Sequence, residues 1–405
     1  MKIRSITYFV APGWPFDDEI VGRAGKFLDT ARGAYTAAGY EVQTTRLATT
    51  PFTQWIPERE LGQLPEVTST VELSARAAGI AYVSLGPASP GSGGYAAIPD
   101  ALASSDNVFF GGILDGEAGL DLAAGRACAD IVVRSSTIDP RGMANLRFAA
   151  LANMPPGSPF FPAAFRDGGR PKFAIATEAA DLAVTAFSDE PTVSAASQSL
   201  TAAIEHHGTI LTRTARELSP EIGFGGIDFS LAPFPEETRS IGQAIERIGT
   251  GGIGRHGSLA AAAVITSALQ RAVFARAGFS GLMLPLLEDP LLARRAAEGE
   301  LSILELLLYS AVCGTGLDAI PIPGDVGVEE LSAVLLDLGA LALRLDKPLT
   351  ARLMPIPGKQ AGDLTDFEFD YFVNSRVLAL KPGAMGGMWT ANTTLPVNRR
   401  PLPRY

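Results

Sequence analysis

Residues 317–355, LDAIPIPGDVGVEELSAVLLDLGALALRLDKPLTARLMP, contain a strand–helix–strand unit. Two apolar stretches rich in strand-forming residues, at 317–323 and 348–355, flank the helical pattern Val328–Leu345. A strand, a helix and a second strand in this order are typical of an α/β fold with a largely parallel sheet. The unit therefore predicts the fold class of the whole chain.

The same alternation runs along the rest of the sequence. Ten candidate strands lie near 3–10, 41–47, 80–85, 107–112, 146–152, 172–177, 224–231, 280–285, 317–323 and 348–355. Predicted helices lie between most of them, at Glu19–Ala38, Val71–Ala78, Glu117–Ala129, Ala195–Leu218, Glu236–Ile248, Ser258–Ala277, Leu301–Val312 and Val328–Leu345. This number of strands exceeds the eight of the commonest α/β barrel.

Long connections and the C-terminal end complete the predicted organisation. No low-complexity linker divides the chain, so we predict a single domain over residues 1–405, with an extended tail over 382–405 that is rich in Pro, Gly and Asn. The stretches Pro87–Pro99 and Pro155–Pro171 are predicted to be long loops. Long loops in compact domains are often functional.

Composition excludes several classes of protein. Of the 405 residues 47% are hydrophobic, which supplies a large core and excludes general disorder. A net charge of −10, from 33 Lys and Arg against 43 Asp and Glu, argues against nucleic acid as the main partner. No apolar run approaches the ~18 residues of a membrane span. The strand-like N-terminus, without signal-peptide features, and only two cysteines, Cys128 and Cys313, predict a reduced cytoplasmic protein.

A glycine-rich turn before a helix is the first candidate binding site. Residues Gly249–Gly254 fit the letters G-x-G-x-x-G, but a predicted helix precedes them and no acidic residue follows before Glu288, so a dinucleotide site is rejected. The helix N-terminus at Ser258, with Arg255 and His256 beside it, could bind a carboxylate or a phosphate through backbone N–H groups. A plain connection between two helices explains the glycines equally well. His256 is the best general acid–base candidate because histidine titrates near neutral pH.

Three aspartates form a second candidate set. Asp228 and Ser230 alternate with apolar residues and so project from one face of a buried strand, where an acid must be paired or bind something. Asp318 lies in the strand 317–323, and Asp325 follows it, at the edge where α/β enzymes build their sites. The three carboxylates could hold a divalent cation such as Mg²⁺. Structural pairing with arginine is an equal alternative.

These segments carry a family resemblance. The motifs Phe224–Pro233 (FGGIDFSLAP), Gly254–Ser258 (GRHGS), Gly281–Pro285 (GLMLP, followed by Glu288-Asp289), Cys313–Asp325 (CGTGLDAIPIPGD) and Arg352–Gly362 (RLMPIPGKQAG) resemble those of the family known as domain of unknown function 711. The resemblance implies a ten-stranded α/β barrel like that of pyruvate formate-lyase-type glycyl radical enzymes, and a homodimer. It also brings Arg352 into the substrate-binding set with Arg255, Ser258 and Asp325.

The chemistry of the glycyl radical enzymes is not expected here. Their C-terminal R-V-x-G motif is matched only by Arg376–Leu380 (RVLAL), in which Ala379 replaces the glycine that would store the radical. Cys313 invites comparison with their relay cysteine, but its place at a helix C-terminus, the negative end of the dipole, favours an unreactive buried thiol. The glycines that follow favour a loop position, so Cys313 stays among the candidate catalytic residues.

The expected function follows from these residues together. We expect a non-radical enzyme that acts on a small anionic metabolite, with His256, Asp228, Cys313 and Asp318 as candidate catalytic residues. A non-catalytic ligand-binding or regulatory protein that uses the same anion site is the alternative. A polar cavity near His256 would count against a third possibility, a purely structural dimer.

Overall fold

The computed structural model describes residues 1–218, 220–381, 383, 385–390 and 394–397. The predicted tail over 382–405 falls largely outside these residues. Among the residues described, no helix combines the length and the apolar character needed to cross a membrane.

Nine strands form one sheet, in the order β10-β11-β7-β4-β3-β2-β1-β8-β9. A small second sheet has the order β12-β6-β5. The strands are β1 (Lys2–Val10), β2 (Val42–Thr49), β3 (Tyr82–Ala88), β4 (Val108–Ile113), β5 (Asp115–Gly116), β6 (Gly119–Asp121), β7 (Phe148–Ala152), β8 (Lys172–Glu178), β9 (Gly223–Asp228), β10 (Gly316–Pro323), β11 (Leu349–Ile356) and β12 (Thr394–Leu395).

The large sheet is mostly parallel and changes direction at two places. Strands β1, β2, β3, β4 and β7 run in one direction, and β8, β9, β10 and β11 run in the other. The antiparallel junctions are β1 with β8 and β7 with β11. Residues 282 and 285 make single parallel bridges near the two edge strands. Leu282 is bridged to Leu231, which follows β9, and Pro285 is bridged to Asp318 in β10. The predicted strand near 280–285 is therefore present only as isolated bridges.

The described residues contain twelve α-helices, together with short turns of 3₁₀ helix and one π turn. The helices are α1 (Asp18–Ala37), α2 (Phe52–Trp55), α3 (Leu64–Ala77), α4 (Gly94–Ala103), α5 (Leu122–Ser136), α6 (Ala180–Asp189), α7 (Val193–Arg216), α8 (Ile241–Ile245), α9 (Ser258–Arg271), α10 (Pro290–Ala297), α11 (Ile303–Ser310) and α12 (Val328–Leu345). The 3₁₀ turns are Glu58–Gln63, Met143–Arg147, Glu237–Arg239 and Gly387–Thr390, and the π turn is Glu246–Thr250.

Burial on both faces explains the strand sequences. All five residues of β7 and all eight of β11 are buried. Each helix contributes an apolar stripe; in α1 the buried residues include Val21, Ala24 and Leu28, which recur at helical spacing. Strands covered on both sides read as nearly continuous apolar runs, as the sequence of this chain does.

Residues 155–171, here called the inner loop, cover the other face of the sheet. Ser84 Oγ of β3 donates a hydrogen bond to the Ala164 carbonyl at 2.7 Å, and the Arg166 N–H donates to the Thr49 carbonyl of β2 at 3.1 Å. Phe161 packs in one small cluster with residues of four strands, namely Phe9, Ala48, Phe109 and Ala174. The predicted loop is confirmed, and it lies against the strands rather than on the outer surface.

The helix predicted at Glu117–Ala129 is α5 (Leu122–Ser136), and the helix predicted at Val71–Ala78 is the longer α3 (Leu64–Ala77). Three further predicted boundaries are wrong for local reasons. Helix α9 ends at Arg271 because Ala272 has an extended backbone, whereas the pattern predicted a helix to Ala277. The predicted helix Glu236–Ile248 is broken into a 3₁₀ turn, the short α8 and a π turn around Gly249, whose φ is +105°. The second part of the predicted loop Pro87–Pro99 belongs to α4.

Candidate active site

A pocket lies at the end of the sheet where β1 and β3 begin and β8 and β9 end. It has an empty volume of about 800 Å³, part of which is open to solvent. We call it the Arg46 pocket. Its charged lining residues are Arg4 (β1), Arg46 (β2), Asp228 (β9), Glu288 and Arg352 (β11).

A buried chain of ion pairs forms one side of the pocket. Arg352 Nε donates to Asp318 Oδ1 at 2.6 Å, and Arg352 Nη2 donates to Glu288 Oε1 at 3.0 Å. Arg4 Nη2 donates to the other oxygen of Glu288. Two guanidinium groups thus meet two carboxylates, and the four charges cancel. An ionised group in the protein interior needs such partners.

The two acids of this chain respond differently to their neighbours. Burial alone raises the pKa of Glu288, but the guanidinium groups of Arg4 and Arg352 outweigh it and hold the pKa below its usual range. Burial raises the pKa of Asp318, and repulsion from Glu288 adds to the rise, while Arg352 opposes it. Glu288 is therefore the firmly ionised partner, since two cations face it.

Arg46 is the third cation, and among the described residues it has no acidic partner. Its Nε donates to Thr44 Oγ1 at 2.9 Å, and its guanidinium lies over the rings of Tyr82 (5.5 Å) and Phe161 (5.1 Å). In the described part of the chain no carboxylate lies within ion-pair distance of Arg46. Burial and repulsion from Arg4 lower the pKa of Arg46 to about 9, so the side chain is still cationic at neutral pH.

Asp228 is a buried carboxylate that forms no ion pair with a cation of the described residues. It is 0% exposed, and it accepts hydrogen bonds from Ser230 Oγ at 2.5 Å, from the Ser280 N–H at 2.8 Å and from the Phe279 N–H at 3.2 Å. All three donors are neutral. Burial raises the pKa of Asp228 to about 6, although the hydrogen bonds limit the rise. A carboxyl group with such a pKa can exchange a proton near neutral pH.

The family described as Uncharacterised ACR (DUF711) matches residues 1–371. This chain belongs to the DUF711 family. The UPF0210 protein of Pyrobaculum aerophilum is 36% identical over 258 residues, which cover 61% of this chain and 56% of the relative. The UPF0210 protein of Pelotomaculum thermopropionicum is 28% identical over 391 residues, covering 91% and 86% respectively.

A second archaeal relative has the same partial coverage. The UPF0210 protein of Pyrobaculum arsenaticum is 35% identical over 258 residues. The matched segment spans 56% of the length of each of the two Pyrobaculum proteins named. The names of these relatives state no reaction or ligand.

The predicted anion site at α9 lies elsewhere, and its arginine is already paired. Arg255 donates to the carboxylate of Glu300 at 2.9 and 3.2 Å, and His256 is exposed. Ser258 is buried and donates to the Gly252 carbonyl at 3.2 Å. It is the first residue of α9, and Gly257 is the N-cap. None of these three residues lines the Arg46 pocket.

The remaining predicted residues divide between the pocket and other places. Asp228 and Arg352 line the Arg46 pocket, and Asp318 contacts it through Arg352. Asp325 follows β10, as the sequence predicted, but it is exposed and accepts from Gln360 Nε2 at 2.9 Å. Cys313 is buried in the apolar core, in the turn between α11 and β10.

The aspartates do not gather into a metal site. Within the residues that the structure describes, no three His, Cys, Asp or Glu side chains are grouped so that they could hold an ion. Asp318 forms an ion pair with Arg352. For Asp318 the structure therefore agrees with the alternative given above, structural pairing with an arginine. Asp228, Asp318 and Asp325 therefore do not form the joint cation site that the sequence suggested.

Sequence reasoning missed the arginines on β1 and β2. Arg4 and Arg46 sit inside strands of a sheet that is buried on both faces, as Asp228 does. A charge inside a buried strand must be paired or bind something, and this holds for Arg4 and Arg46 as it does for Asp228. The signal was therefore present, but without the strand order nothing indicated that these side chains line one pocket with Arg352 and Glu288.

Gly278 allows the close approach that holds Asp228. A Cβ at this position would stand 2.2 Å from Asp228 Oδ2, and the φ of Gly278 is +56°. We expect Gly278→Ala to lower the free energy of unfolding by about 2 kcal/mol through steric overlap and backbone strain, as measured by urea unfolding. Gly91→Ala is the matched control, since its φ is +78° with no atom within 4 Å of the added Cβ. An equal decrease in the free energy of unfolding in both variants would show that steric overlap with Asp228 does not destabilise Gly278→Ala.

Proposed function

We propose that the protein is an enzyme that binds a small anionic metabolite, a carboxylate or a phosphate ester, in the Arg46 pocket. The observation that supports this is the charge balance of the site. Arg4 and Arg352 are neutralised by Glu288 and Asp318, whereas no carboxylate of the described residues lies within ion-pair distance of Arg46. A partly buried cation without a counter-charge favours binding of an anion.

Aromatic rings define the space beside that cation. Tyr82 and Phe161 lie under the Arg46 guanidinium, and Phe160 lies 5.9 Å from the Arg352 guanidinium. Tyr371 also lines the pocket. Apolar walls with a few convergent polar groups are typical of small-molecule sites. The carboxylate or phosphate of the ligand would therefore bind Arg46, and its carbon skeleton would contact the rings.

Asp228 supplies the acid–base chemistry in this proposal. Its carboxylate would accept a proton from the bound metabolite, from a C–H or an O–H group, and return it in a later step. Ser230 Oγ, 2.5 Å from Asp228 Oδ1, lines the pocket and orients the carboxylate. The reaction class that this arrangement supports is proton transfer on an anionic substrate. The radical chemistry of the similar barrel enzymes is not part of it.

If the Arg46 pocket binds anions, replacing Arg46 should reduce the affinity for a carboxylate ligand. Benzoate serves as the probe because it carries one carboxylate and one apolar ring, matching Arg46 and its aromatic neighbours. We expect Arg46→Gln to weaken benzoate binding, measured by calorimetry, by about tenfold to a hundredfold, since a charge-assisted hydrogen bond contributes about 1.5–3 kcal/mol. Arg46→Lys should retain part of the affinity.

A second variant separates the two candidate anion sites. Arg255→Gln combined with His256→Ala should leave benzoate binding unchanged. If this variant loses benzoate and Arg46→Gln keeps it, the anion binds at the start of α9, as the sequence first suggested. Incubating the protein with a panel of small carboxylates and phosphate esters in D₂O tests turnover by NMR. Binding without proton exchange across the panel would favour the non-catalytic alternative.

We further propose that the sheet closes into a barrel through residues 281–285. The bridges at Leu231 and Asp318 place this segment beside both edge strands, parallel to each. The Gly314 N–H donates to the Leu282 carbonyl at 2.6 Å, and the absence of side chains at Gly281 and Gly314 lets the two backbones touch. Counting this segment gives the ten strands that the family resemblance implies for a pyruvate formate-lyase-like barrel.

Compartment and assembly belong to the same proposal. Cys128 and Cys313 are both buried and free, which supports a reducing compartment such as the cytoplasm. The homodimer rests on the family resemblance and stays a prediction.

A further inference from the structure

A second pocket lies at the opposite end of the same strands. It is open to solvent, has an empty volume of about 880 Å³, and is bordered by Phe9 at the end of β1, Lys172 at the start of β8 and Gly225 in β9. We call it the Lys172 pocket. Arg4 and Phe9 mark the two pockets along β1, and the five residue-to-residue steps between them correspond to roughly 16 Å of strand.

Three cations line the Lys172 pocket, namely Arg166, Lys172 and Arg276. The acidic residue in its lining is Asp167, which is exposed. Across the part of the chain that the structure describes, no carboxylate forms an ion pair with any of the three cations. The formal charge of this lining is therefore positive, in a chain whose net charge is −10.

Neutral carbonyl groups hold the two arginines in place. Arg166 is 4% exposed, and its Nη1 donates to the Phe9 carbonyl at 2.9 Å while Nη2 donates to carbonyls of the inner loop. Its Nε is buried without a hydrogen-bond partner. Arg276 Nη2 donates to three carbonyls near the end of α9, at 2.7–3.0 Å. Carbonyl oxygens orient a guanidinium but do not neutralise its charge.

Glycines complete the pocket wall. Gly157 and Gly168 line it, both have positive φ angles, and no atom lies within 4 Å of the place that a Cβ would take at either residue. Residues without side chains leave room for a ligand to approach the backbone closely. Two fixed guanidinium groups, a solvent-exposed lysine and an open glycine wall are a combination suited to an oxyanion.

We propose that the Lys172 pocket binds an oxyanion with two or more negative charges, such as a phosphate or diphosphate group. This site is separate from the Arg46 pocket, because different cations line each one, and it does not depend on the function proposed above. The inner loop contributes Phe160 and Phe161 to the first pocket and Arg166 to the second. A ligand in the Lys172 pocket would thus contact the segment that forms a wall of the Arg46 pocket.

Calorimetric titration with pyrophosphate at fixed ionic strength tests the proposal. We expect Lys172→Glu to weaken pyrophosphate binding at least about tenfold, because it replaces an attractive charge by a repulsive one. Lys26→Glu is the matched control, since Lys26 is another exposed lysine, on α1, and the change in net charge is identical. Arg276→Gln should also weaken binding, and Arg276→Lys should restore part of it.

The two pockets can be told apart in the same experiment. Arg46→Gln should keep the parental affinity for pyrophosphate while losing benzoate, and Lys172→Glu should do the reverse. Parental pyrophosphate affinity in Lys172→Glu, or loss of binding in Lys26→Glu of equal size, would overturn the proposal. Absence of pyrophosphate binding by the parent protein would overturn it as well, without bearing on benzoate at the Arg46 pocket.

Discussion

Replacing Arg352 by methionine is expected to lower the free energy of unfolding by about 3–5 kcal/mol. The substitution keeps the length of the side chain but removes the cation shared by Asp318 and Glu288, both of which are buried. Arg4 would remain as a cation for Glu288, and Asp318 would be left without one. Urea unfolding followed by circular dichroism at neutral pH measures the change.

Arg294→Met provides the matched control for that experiment. Arg294 forms an ion pair of 3.2 Å with Glu237, but both side chains are largely exposed. Water and salt screen such a pair, so its loss should change the free energy of unfolding by about 1 kcal/mol or less. Similar losses for Arg352→Met and Arg294→Met would contradict the importance of the buried ion pairs.

Asp228 should make the protein less stable as the pH rises from about 4 to about 7. Its pKa is raised by burial from 3.8 to about 6, so the folded state holds the proton more tightly than the unfolded state does. Stability falls with pH wherever the folded state binds more protons, and a shift of this size corresponds to about 3 kcal/mol. Asp228→Asn, which cannot ionise, should lack this pH dependence.

The measurement is the free energy of unfolding of both proteins at several pH values in this interval. The parent should lose about 3 kcal/mol relative to Asp228→Asn as Asp228 ionises. Asp325→Asn is the control, because Asp325 is an exposed aspartate, and its pH profile should follow that of the parent. A constant difference between the parent and Asp228→Asn across the interval would show that Asp228 titrates at its ordinary value.

Much of the sheet was predictable from sequence because its strands are buried on both faces. The predicted stretches at 3–10, 317–323 and 348–355 agree with β1, β10 and β11 to within one residue at each end. Helix α12 has the predicted bounds, since glutamates follow its start and its apolar stripe is regular. The segment near 280–285 was predicted as a strand from its apolar run, but only two of its residues make bridges. An apolar run reports burial and does not fix backbone pairing.

The site was predictable only in part because its residues come from distant segments. Asp228, Asp318 and Arg352 were singled out, and the structure places them in or against one pocket. Arg255 and His256 were favoured because a glycine-rich turn precedes α9. In the structure the guanidinium of Arg255 is already paired with the carboxylate of Glu300, 45 residues away in sequence. Arg4 and Arg46 were overlooked because strand order decides that they line one pocket with Glu288 and Arg352.

The pairing of β1 with β8 and of β7 with β11 has a consequence for synthesis of the chain. After β7 has left the ribosome, strands β1, β2, β3, β4 and β7 can pair with one another. The two outer strands of this set, β1 and β7, still lack their partners β8 and β11. Unpaired strand edges promote association between chains. The edge of β1 stays unpaired until β8 has emerged at residue 178, and the edge of β7 stays unpaired until β11 has emerged at residue 356. Chaperone binding during this interval would protect the nascent protein from aggregation.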